Sequence, residues 1–240
     1  MNNFVFIVPM RNAHLTLEQM IRSVIAQSYK SWRVILVDDN SDESSVREAQ
    51  RIVTAYNLLL QEDKIMLIKQ ANRQWETANV LCALKLCAPH EIVCRLDADD
   101  WLVDNDALAI IDSAYSAHNC DALWTKHRWG FTGFNISDVL PESADPYKHP
   151  WVTSHLKTWR AQLSANINDL NYRDASGAYI KRAGDQAIYL PVLFQAQRKL
   201  FLPLVTYHYT IDMRHETFSS DDAKFQKAEA EFLRSRGFVK

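Results

Sequence analysis

Three aspartates crowd the end of one apolar segment of the sequence. In the stretch VCRLDADDW, from Val93 to Trp101, the residues Asp97, Asp99 and Asp100 fall within four positions. Carboxylates held this close repel one another and raise one another's pKa unless a cation lies among them. Mg²⁺ and Mn²⁺ bind carboxylate oxygens and complete their shell with water and phosphate. The spacing therefore indicates a divalent metal site that also takes a phosphorylated ligand, with Asp97 and Asp99 as its candidates.

A second group of acids follows another apolar segment. The stretch RVILVDDNSDESS carries Asp38 and Asp39 directly after its apolar run. An aspartate after a strand is often only a turn or helix-capping residue. That alternative stays open for Asp38 and also for Asp42, Asp100 and Asp104.

The segments that position these acids alternate between apolar strands and helices. Apolar runs predict strands at 4–8, 33–37, 65–69, 91–96, 122–125 and 200–206. The spacing of apolar residues predicts helices after Thr16 and at 44–57, 75–87, 104–118, 184–197 and 220–236. Strands joined by helices pair in parallel, and ligands of such sheets bind outside the carboxyl ends of the strands. The sequence thus predicts a doubly wound, mostly parallel α/β sheet with both groups of acids at its carboxyl edge.

Local signals refine the predicted helices. Thr16 and Gln19 match a capping box, Pro191 predicts a kink or break, and Gly237 suits a helix C-cap. The apolar face predicted for the last helix consists of Phe225, Ala228 and Phe232.

Composition narrows the class of protein. The 240 residues, 48% of them hydrophobic, suffice for one large α/β unit with a substantial core. A formal net charge of −2 provides no overall basic field for nucleic acid or an anionic membrane. No glycine precedes Gly130, which excludes a Gly-rich dinucleotide loop and a Walker loop from the first half.

Two further features concern the environment of the protein. No Cys-x-x-Cys pair occurs, so reduced thiols are predicted for Cys82, Cys87, Cys94 and Cys120. No apolar run approaches the roughly 18 residues needed to span a bilayer. We therefore expect a soluble, cytoplasmic protein.

Several of these stretches together resemble a known family. The opening FVFIVPMRNAHLTLEQMIRSVIAQSYKSWRVILVDDNSDESS and the later RLDADDWL resemble family 2 glycosyltransferases of the GT-A fold, over roughly the first 125 residues. The resemblance implies inverting transfer of a sugar from a UDP-sugar to an acceptor hydroxyl, with Mn²⁺ or Mg²⁺ as cofactor. Met10, Arg11 and Gln74 depart from the usual family residues, so the sugar that is transferred stays open.

The resemblance also implies roles in the donor half, residues 1–125. Residues expected to contact the nucleotide-sugar are Pro9, Arg11, Asn12, Asp39, Arg73 and Asp97. Among them, Asp39 matches the acid that binds the uracil ring, and Arg73 a basic residue near the base and diphosphate. Asp99 matches the metal-binding acid. His215 is the first candidate to complete the metal or diphosphate site, and His208 is the second.

The acceptor half, residues 126–219, is expected to supply the general base and the acceptor site, with 220–240 as a C-terminal helix of the same α+β extension. Asp185 resembles the acid that deprotonates the acceptor in inverting members, although a helix N-cap is its alternative role. Asp174 and Glu142 come next as bases. Candidates for binding acceptor or phosphate are His155, Trp159 and Arg160, although Trp151 and Trp159 could instead be core residues.

Other functions stay open at this point. The second half also resembles phage glycosyltransferases that act on hydroxymethylated or glycosylated DNA bases, although the chain is not basic. A catalytically silent sugar-nucleotide-binding protein would keep Asp39 and Asp99 but would not need Asp185. A pyrophosphorylase would normally carry a Gly-rich loop after its first strand, and a simple metal-binding domain would ignore UDP. Glycan, lipid-linked, protein and DNA acceptors, and any oligomeric state, remain compatible with the sequence.

Overall fold

Strands and helices alternate along the described part of the chain, residues 1–211 and 221–240 of the computed structural model. The strands are β1 (Phe4–Met10), β2 (Trp32–Asp38), β3 (Ile65–Lys69), β4 (Ile92–Arg95), β5 (Trp101–Leu102), β6 (Ala122–Trp129), β7 (Lys157–Arg160) and β8 (Lys199–Tyr209). The helices are α1 (Leu17–Ile25), α2 (Glu43–Leu60), α3 (Trp75–Leu84), α4 (Ala107–His118), α5 (Gln162–Ala165), α6 (Gly184–Gln195) and α7 (Asp221–Arg236). A short 3₁₀ turn spans Asp169–Tyr172.

The strands form one eight-stranded sheet in the order β3-β2-β1-β4-β7-β6-β8-β5. The first four strands of this order are parallel, as predicted. β7 is inserted antiparallel between β4 and β6, while β8 runs parallel to β6 and antiparallel to β5. The sequence patterns did not predict β5 and β7, because the segments WL and KTWR contain no apolar run.

Apolar layers cover both faces of β1. Successive side chains of a strand point to opposite faces, so Phe4, Phe6 and Val8 pack with α1, α2 and α4 on one side. Val5 and Ile7 pack with α3 and α6 on the other side. Close packing on both faces leaves the central strands little freedom to move. The carboxyl ends of β1, β2 and β4 are therefore a rigid base for a binding site.

The capping box predicted at Thr16 and Gln19 is wrong. Thr16 makes no side-chain bond to the first turn of α1, because its hydroxyl donates to the carbonyl of Ala13 at 3.1 Å. Asp42 does act as a cap, since it accepts a hydrogen bond from the backbone N–H of Ser45 at 2.8 Å. The capping alternative is thereby confirmed for Asp42.

Of two helix signals in the second half, the C-cap at Gly237 is confirmed. A break at Pro191 does not occur, because α6 continues through this residue from Gly184 to Gln195, and a kink there stays a prediction. Gly237 follows α7 with a positive φ of 75°, and its N–H donates to the carbonyl of Leu233 at 3.1 Å. That left-handed conformation favours glycine at a helix C-terminus.

The apolar face predicted for α7 is confirmed only in part. Phe225 is 46% exposed, whereas the buried side chains of this helix are Glu229 and Leu233. Ala228 is also exposed, but Phe232 is partly buried and packs against the core cluster that contains Leu233. A spacing rule for apolar residues misses this contact because α7 packs partly through a carboxylate.

The thiols agree with the sequence-based prediction as far as the structure describes them. Cys82, Cys87, Cys94 and Cys120 are all free. Within residues 1–211 and 221–240, no helix has both the length and the apolar character of a membrane span.

Candidate functional site

A cleft of about 240 Å³ opens at the carboxyl ends of β1, β2 and β4. The residues predicted from the sequence that line it are Pro9, Arg11, Asp39, Arg73 and Asp97. Lining residues not predicted from the sequence include Trp75, Glu76, Asn79, Arg95, Lys181 and Arg182. Acidic and basic side chains thus converge where a parallel sheet is expected to bind a ligand.

Asn12 has a different role from the predicted ligand contact. Its N–H donates to the hydroxyl of Ser41 at 2.9 Å, and its side-chain oxygen accepts from the N–H of Asp42 at 3.0 Å. It does not belong to the lining of the cleft. Asn12 therefore ties the loop after β1 to the start of α2, and the predicted contact is not supported.

Asp39 is a buried carboxylate that organises the start of α3. It is 6% exposed, and its Oδ1 accepts hydrogen bonds from the N–H groups of Gln74 at 2.6 Å and Trp75 at 3.2 Å. The guanidinium Nε of Arg73 lies 3.8 Å from Oδ2. A carboxylate offers about four lone-pair sites, so Asp39 can still accept a further N–H from a ligand.

Trp75 gathers cations at the edge of the cleft. The guanidinium carbon of Arg73 lies 3.5 Å from the ring centroid, that of Arg182 lies 4.5 Å away, and Nζ of Lys181 lies 5.9 Å away. Trp75 has a positive φ of 67°, a conformation that costs about 1–3 kcal/mol for a residue other than glycine. Its backbone N–H is shared between the two carboxylate oxygens of Asp39, at 3.2 and 3.1 Å, and this interaction offsets the strain. The resulting cation–π cluster suits an anionic ligand.

Arg95 joins two carboxyl groups beneath the cleft. It is 3% exposed, and its Nη2 donates to Glu76 Oε1 and to Asp97 Oδ1, both at 2.7 Å. Burial acts to raise the pKa of Asp97, but Arg95, together with His155 and Lys157, outweighs burial and holds this pKa below its usual value. Burial dominates at Glu76 and, with the charges of Asp185 and Asp97, raises its pKa to about 7.

Asp99 and Asp100 occupy different environments. Asp99 is exposed, and its backbone carbonyl accepts from the Thr210 hydroxyl at 2.5 Å. Asp100 is 3% exposed and accepts from the Tyr207 hydroxyl at 2.6 Å and from the N–H of Thr210 at 2.7 Å. Burial, together with Asp97 and Asp99, raises the pKa of Asp100 to about 8. Asp100 therefore anchors β8 to the acidic turn, in agreement with its structural alternative.

A metal ion could be held only in part by the residues that the structure describes. No group of three or more His, Cys, Asp or Glu side chains suited to a metal occurs among residues 1–211 and 221–240. Asp97 and Asp99 are nevertheless hard oxygen donors, and Mg²⁺ is often held by one or two carboxylates together with phosphate oxygens of a ligand. The donor set therefore fits a hard cation that is shared with a bound phosphate.

The structure describes one of the two histidine candidates for this metal. His215 lies outside the described residues and stays a prediction. His208 is 2% exposed, its ring stacks on Trp101 with centroids 3.7 Å apart, and its Nδ1 accepts from Arg128 Nε at 3.3 Å. These contacts hold the ring of His208 in place, and its assignment as the second metal candidate stays a prediction.

Asp185 is the centre of a second charged cluster. Nζ of Lys157 lies 2.9 Å from Asp185 Oδ1 and 3.2 Å from Nδ1 of His155, whose Nε2 is 3.7 Å from Asp185 Oδ2. Lys157 and His155 are 1% and 4% exposed. No side-chain cap bond closes the start of α6, where Ala183 is the N-cap. The alternative that Asp185 is only a helix cap is therefore wrong.

The electrostatics of this cluster keep Asp185 ionised. Burial acts to raise the pKa of Asp185, but Lys157, His155 and Arg95 outweigh it and hold this pKa well below its usual range. Burial, assisted by Lys157, lowers the pKa of His155 to about 3, so its ring is neutral at pH 7. Lys157 and Arg95 are therefore the cations that maintain the Asp185 carboxylate at neutral pH.

Asp185 and His155 also line a second cavity of about 500 Å³. Its aromatic wall contains Trp129, Trp151 and Tyr209. Gly184, the residue before Asp185, lies against the first cleft, because a Cβ added there would stand 2.5 Å from Glu76 Oε2. Asp185 is thus placed where the cleft and the cavity meet.

Two of the residues predicted to bind acceptor or phosphate lie elsewhere. Trp159 is 0% exposed, and its indole N–H donates to the Ser164 hydroxyl at 2.8 Å. Arg160 pairs with Ile92 at the opposite end of β4, and its Nε donates to the carbonyl of Cys120 at 3.1 Å. Both assignments are wrong, since Trp159 belongs to the core, as the alternative stated, and Arg160 stabilises the far edge of the sheet.

The reserve candidates for the base are also placed away from this cluster. Asp174 accepts from the N–H groups of Ser176 at 2.8 Å and Ala178 at 3.0 Å, so it stabilises its own turn. Glu142 is exposed in the loop between β6 and β7. Neither lines the second cavity.

Comparison with known proteins identifies the family. The family model described as Glycosyl transferase family 2 matches residues 5–150. The chain belongs to glycosyl transferase family 2. A curated relative of this family 2 chain is the putative glycosyltransferase EpsE of Bacillus subtilis (strain 168), 32% identical over 92 residues. That match covers 37% of the chain and 30% of EpsE, so the chain spans less than a third of this relative's length.

Solved structures show that the family 2 chain has the GT-A fold predicted from the resemblance. Residues 1–349 of S. aureus TarS superpose with a TM-score of 0.64 at 18% identity, covering 96% of the chain and 70% of the TarS chain. The mannosyltransferase PcManGT of Pyrobaculum calidifontis, in complex with GDP-Man and Mn²⁺, gives a TM-score of 0.62 at 14% identity, covering 96% and 69%. TarS 1–349 is also known in complex with UDP-GlcNAc.

Sequence reasoning missed several charged residues that meet in the site of this family 2 chain. They are Glu76, Arg95, Lys181 and Arg182. Lys181 and Arg182 precede the predicted base, Asp185, by a few residues in the sequence. That proximity could have indicated that they also lie near the ligand. Arg95 and Lys157 lie in strands and face each other only through the β4–β7 register, which no local pattern reveals.

Proposed function

We propose that this family 2 protein transfers a sugar from a UDP-sugar to an acceptor hydroxyl with inversion at the anomeric carbon. The observation that carries the proposal is the position of the ionised Asp185 between the cation-rich cleft and the aromatic cavity. Inverting displacement needs a carboxylate on the side of the sugar opposite the leaving group. The UDP-GlcNAc complex of TarS supports a UDP-sugar donor.

The donor is assigned to the cleft. The uracil ring donates its N3–H to Asp39, and the diphosphate lies among the cations around Trp75, namely Arg73, Lys181 and Arg182. Asp97 and Asp99 would hold Mn²⁺ or Mg²⁺, which would offset the negative charge that grows on the departing UDP. The Mn²⁺ complex of PcManGT is in keeping with this cofactor.

The acceptor is assigned to the aromatic cavity. Its hydroxyl oxygen forms the new bond to the anomeric carbon while the bond from that carbon to the β-phosphate oxygen breaks and its electron pair leaves with UDP. The hydroxyl proton moves to Asp185, whose Oδ1 is held by Lys157 at 2.9 Å. Charge-assisted contacts of this kind orient the carboxylate for proton transfer.

UDP should compete for the donor cleft better than CDP does. A carboxylate such as Asp39 can accept the N3–H of uracil, whereas cytosine presents an acceptor at that position. Placing the acceptor nitrogen of cytosine against the Asp39 carboxylate costs about 1–3 kcal/mol of binding free energy. UDP should therefore bind roughly tenfold or more tightly than CDP. Competition of UDP, CDP and GDP against a fluorescent UDP analogue measures this difference in affinity on the wild-type protein. A substitution at Asp39 would be less clear, because it would also disturb the start of α3.

Equal competition by the three nucleotides would contradict the assignment of Asp39. GDP is included in the competition because a structural neighbour, PcManGT, is known in complex with GDP-Man.

UDP binding should depend on a divalent metal, and Asp99→Ala should remove that dependence. Asp99 is exposed, so the fold should persist while the metal loses a hard ligand. Calorimetry of UDP with Mn²⁺ and with a chelator measures both effects. Asp63→Ala is the matched control, since Asp63 is also exposed but precedes β3 at the opposite edge. Equal UDP affinity of the wild type with Mn²⁺ and with chelator would refute the metal assignment.

A further inference from the structure

Glu229 of α7 is a buried carboxylate that binds three successive backbone groups. Its Oε1 accepts from the N–H of Lys181 at 2.9 Å, and its Oε2 accepts from the N–H groups of Arg182 at 2.7 Å and Ala183 at 3.0 Å. Glu229 is 6% exposed. Consecutive N–H groups in a turn form a concave anion-binding site, and hydrogen bonds to a charged acceptor are about twice as strong as neutral ones. Here the anion comes from the chain itself.

The turn that Glu229 binds contributes to both halves of the site. Lys181 and Arg182 line the cleft, and Ala183 lines the aromatic cavity. Asp185 follows in the first turn of α6. A second residue of α7, Asp222, accepts from Arg182 Nη2 at 2.7 Å. The helix α7 therefore fixes the positions of Lys181, Arg182 and Asp185.

The opposite side of this turn has little space. Gly184 lies so close to Glu76 that an added Cβ would be 2.5 Å from its carboxyl group. The turn thus lies between Glu76 on the side of the cleft and Glu229 on the side of α7. Because a displacement of about 1 Å at a reacting group can cost on the order of 10²-fold in rate, the position of this turn is important for the chemistry.

We propose that Glu229 is a positioning residue of the active site, through which α7 sets the location of Lys181, Arg182 and Asp185. The inference rests on the proposed function, because those three side chains are assigned to the donor and to the base. Glu229 itself touches neither ligand cavity in this assignment, since its carboxylate is turned to the backbone.

Chemical rescue tests this role. Glu229→Ala empties the anion site, and formate is a carboxylate small enough to occupy it. We expect Glu229→Ala to weaken UDP binding by about tenfold or more and to slow UDP-sugar hydrolysis by on the order of 10²-fold. Formate should restore a measurable part of both, whereas formamide, similar in shape but uncharged, should not. Asp221→Asn removes a charge from the same helix at a fully exposed side chain that contacts only Lys224 among the described ion pairs, and it should behave as the wild type.

Melting temperatures are measured in parallel, and Glu229→Gln provides a second variant that keeps one acceptor oxygen if the alanine variant does not fold. Glu229 variants that melt earlier but bind UDP and turn over like the wild type per folded molecule would overturn the positioning role. Absence of formate rescue in a folded Glu229→Ala protein would also overturn it. Failure of the wild type to bind UDP is a separate result, because it contradicts the proposed function and not the role of Glu229 alone.

Discussion

Asp185→Asn should lower sugar transfer by about 10²- to 10⁴-fold while UDP affinity and its metal dependence are retained, as expected for loss of a general base. Asparagine keeps the shape of aspartate and an oxygen that can accept from Lys157, but it cannot take the acceptor's proton. The side chain lines the aromatic cavity and not the cleft, so donor binding should be spared. Product formation under saturating donor measures the rate, and calorimetry measures UDP affinity.

The control for this variant must address the ion pair with Lys157. Removal of one partner leaves the buried Lys157 without its counter-charge, and breaking a buried pair can cost about 3–5 kcal/mol of stability. Asp185→Asn/Lys157→Met removes both charges and separates loss of the base from loss of the fold. Asp174→Asn is a second control, because that carboxylate only stabilises its turn. Retained turnover per folded molecule in Asp185→Asn would show that the base lies elsewhere.

Lys157→Met should move the acid limb of the transfer rate to higher pH. Burial acts to raise the pKa of Asp185, and Lys157 is foremost among the charges that outweigh burial and hold this pKa low. A base must be ionised to act, so a raised pKa removes activity from the acid side first. Each unit by which the pKa exceeds the assay pH costs about tenfold in rate. The pH profile of kcat/KM for wild type and variant measures the shift.

Lys157→Met offers a direct comparison because two other carboxyl groups of this region with raised pKa values, Glu76 and Asp100, are present in both proteins. The pKa of Glu76 is raised to about 7 mainly by burial, and any limb it produces should therefore occur in both profiles. Lys227→Met is the matched control, because Lys227 lines the aromatic cavity but forms its ion pair with Glu231, and it should leave the profile unchanged. A uniform loss of rate at all pH values would contradict the proposed electrostatic role of Lys157.

The donor side of the site could be predicted largely from local sequence. Asp39 and Asp97 each follow an apolar run, and parallel strands bring such ends to one edge, so their convergence follows from elementary sheet geometry. The role of Asn12 could not be predicted, since an asparagine that contacts a ligand and an asparagine that joins two loops have the same sequence signature.

The acceptor side could be predicted less well. Asp185 was suggested by family resemblance, but Lys157, which pairs with it, sits in a four-residue strand without an apolar run. Its partner across the sheet is Arg95, so two buried cations meet the acids only through strand register. Trp159 was assigned to ligand binding because it neighbours basic residues in the sequence. The same pattern is equally common in a protein core, so it could not distinguish the two roles. Register and burial depend on contacts between distant segments, and periodicity within one segment cannot encode them.

The insertion of β7 between β4 and β6 has a consequence for how the chain acquires its structure. β4 ends at Arg95, yet its second neighbour begins only at Lys157. Until that later segment is available, β4 is an edge strand with unpaired backbone groups, a surface that invites pairing with other chains. Pairings between such distant segments close large loops and form slowly. The nucleotide-binding half is therefore expected to complete its sheet only after the acceptor half as far as Arg160 has left the ribosome, and a fragment cut between the two halves should aggregate.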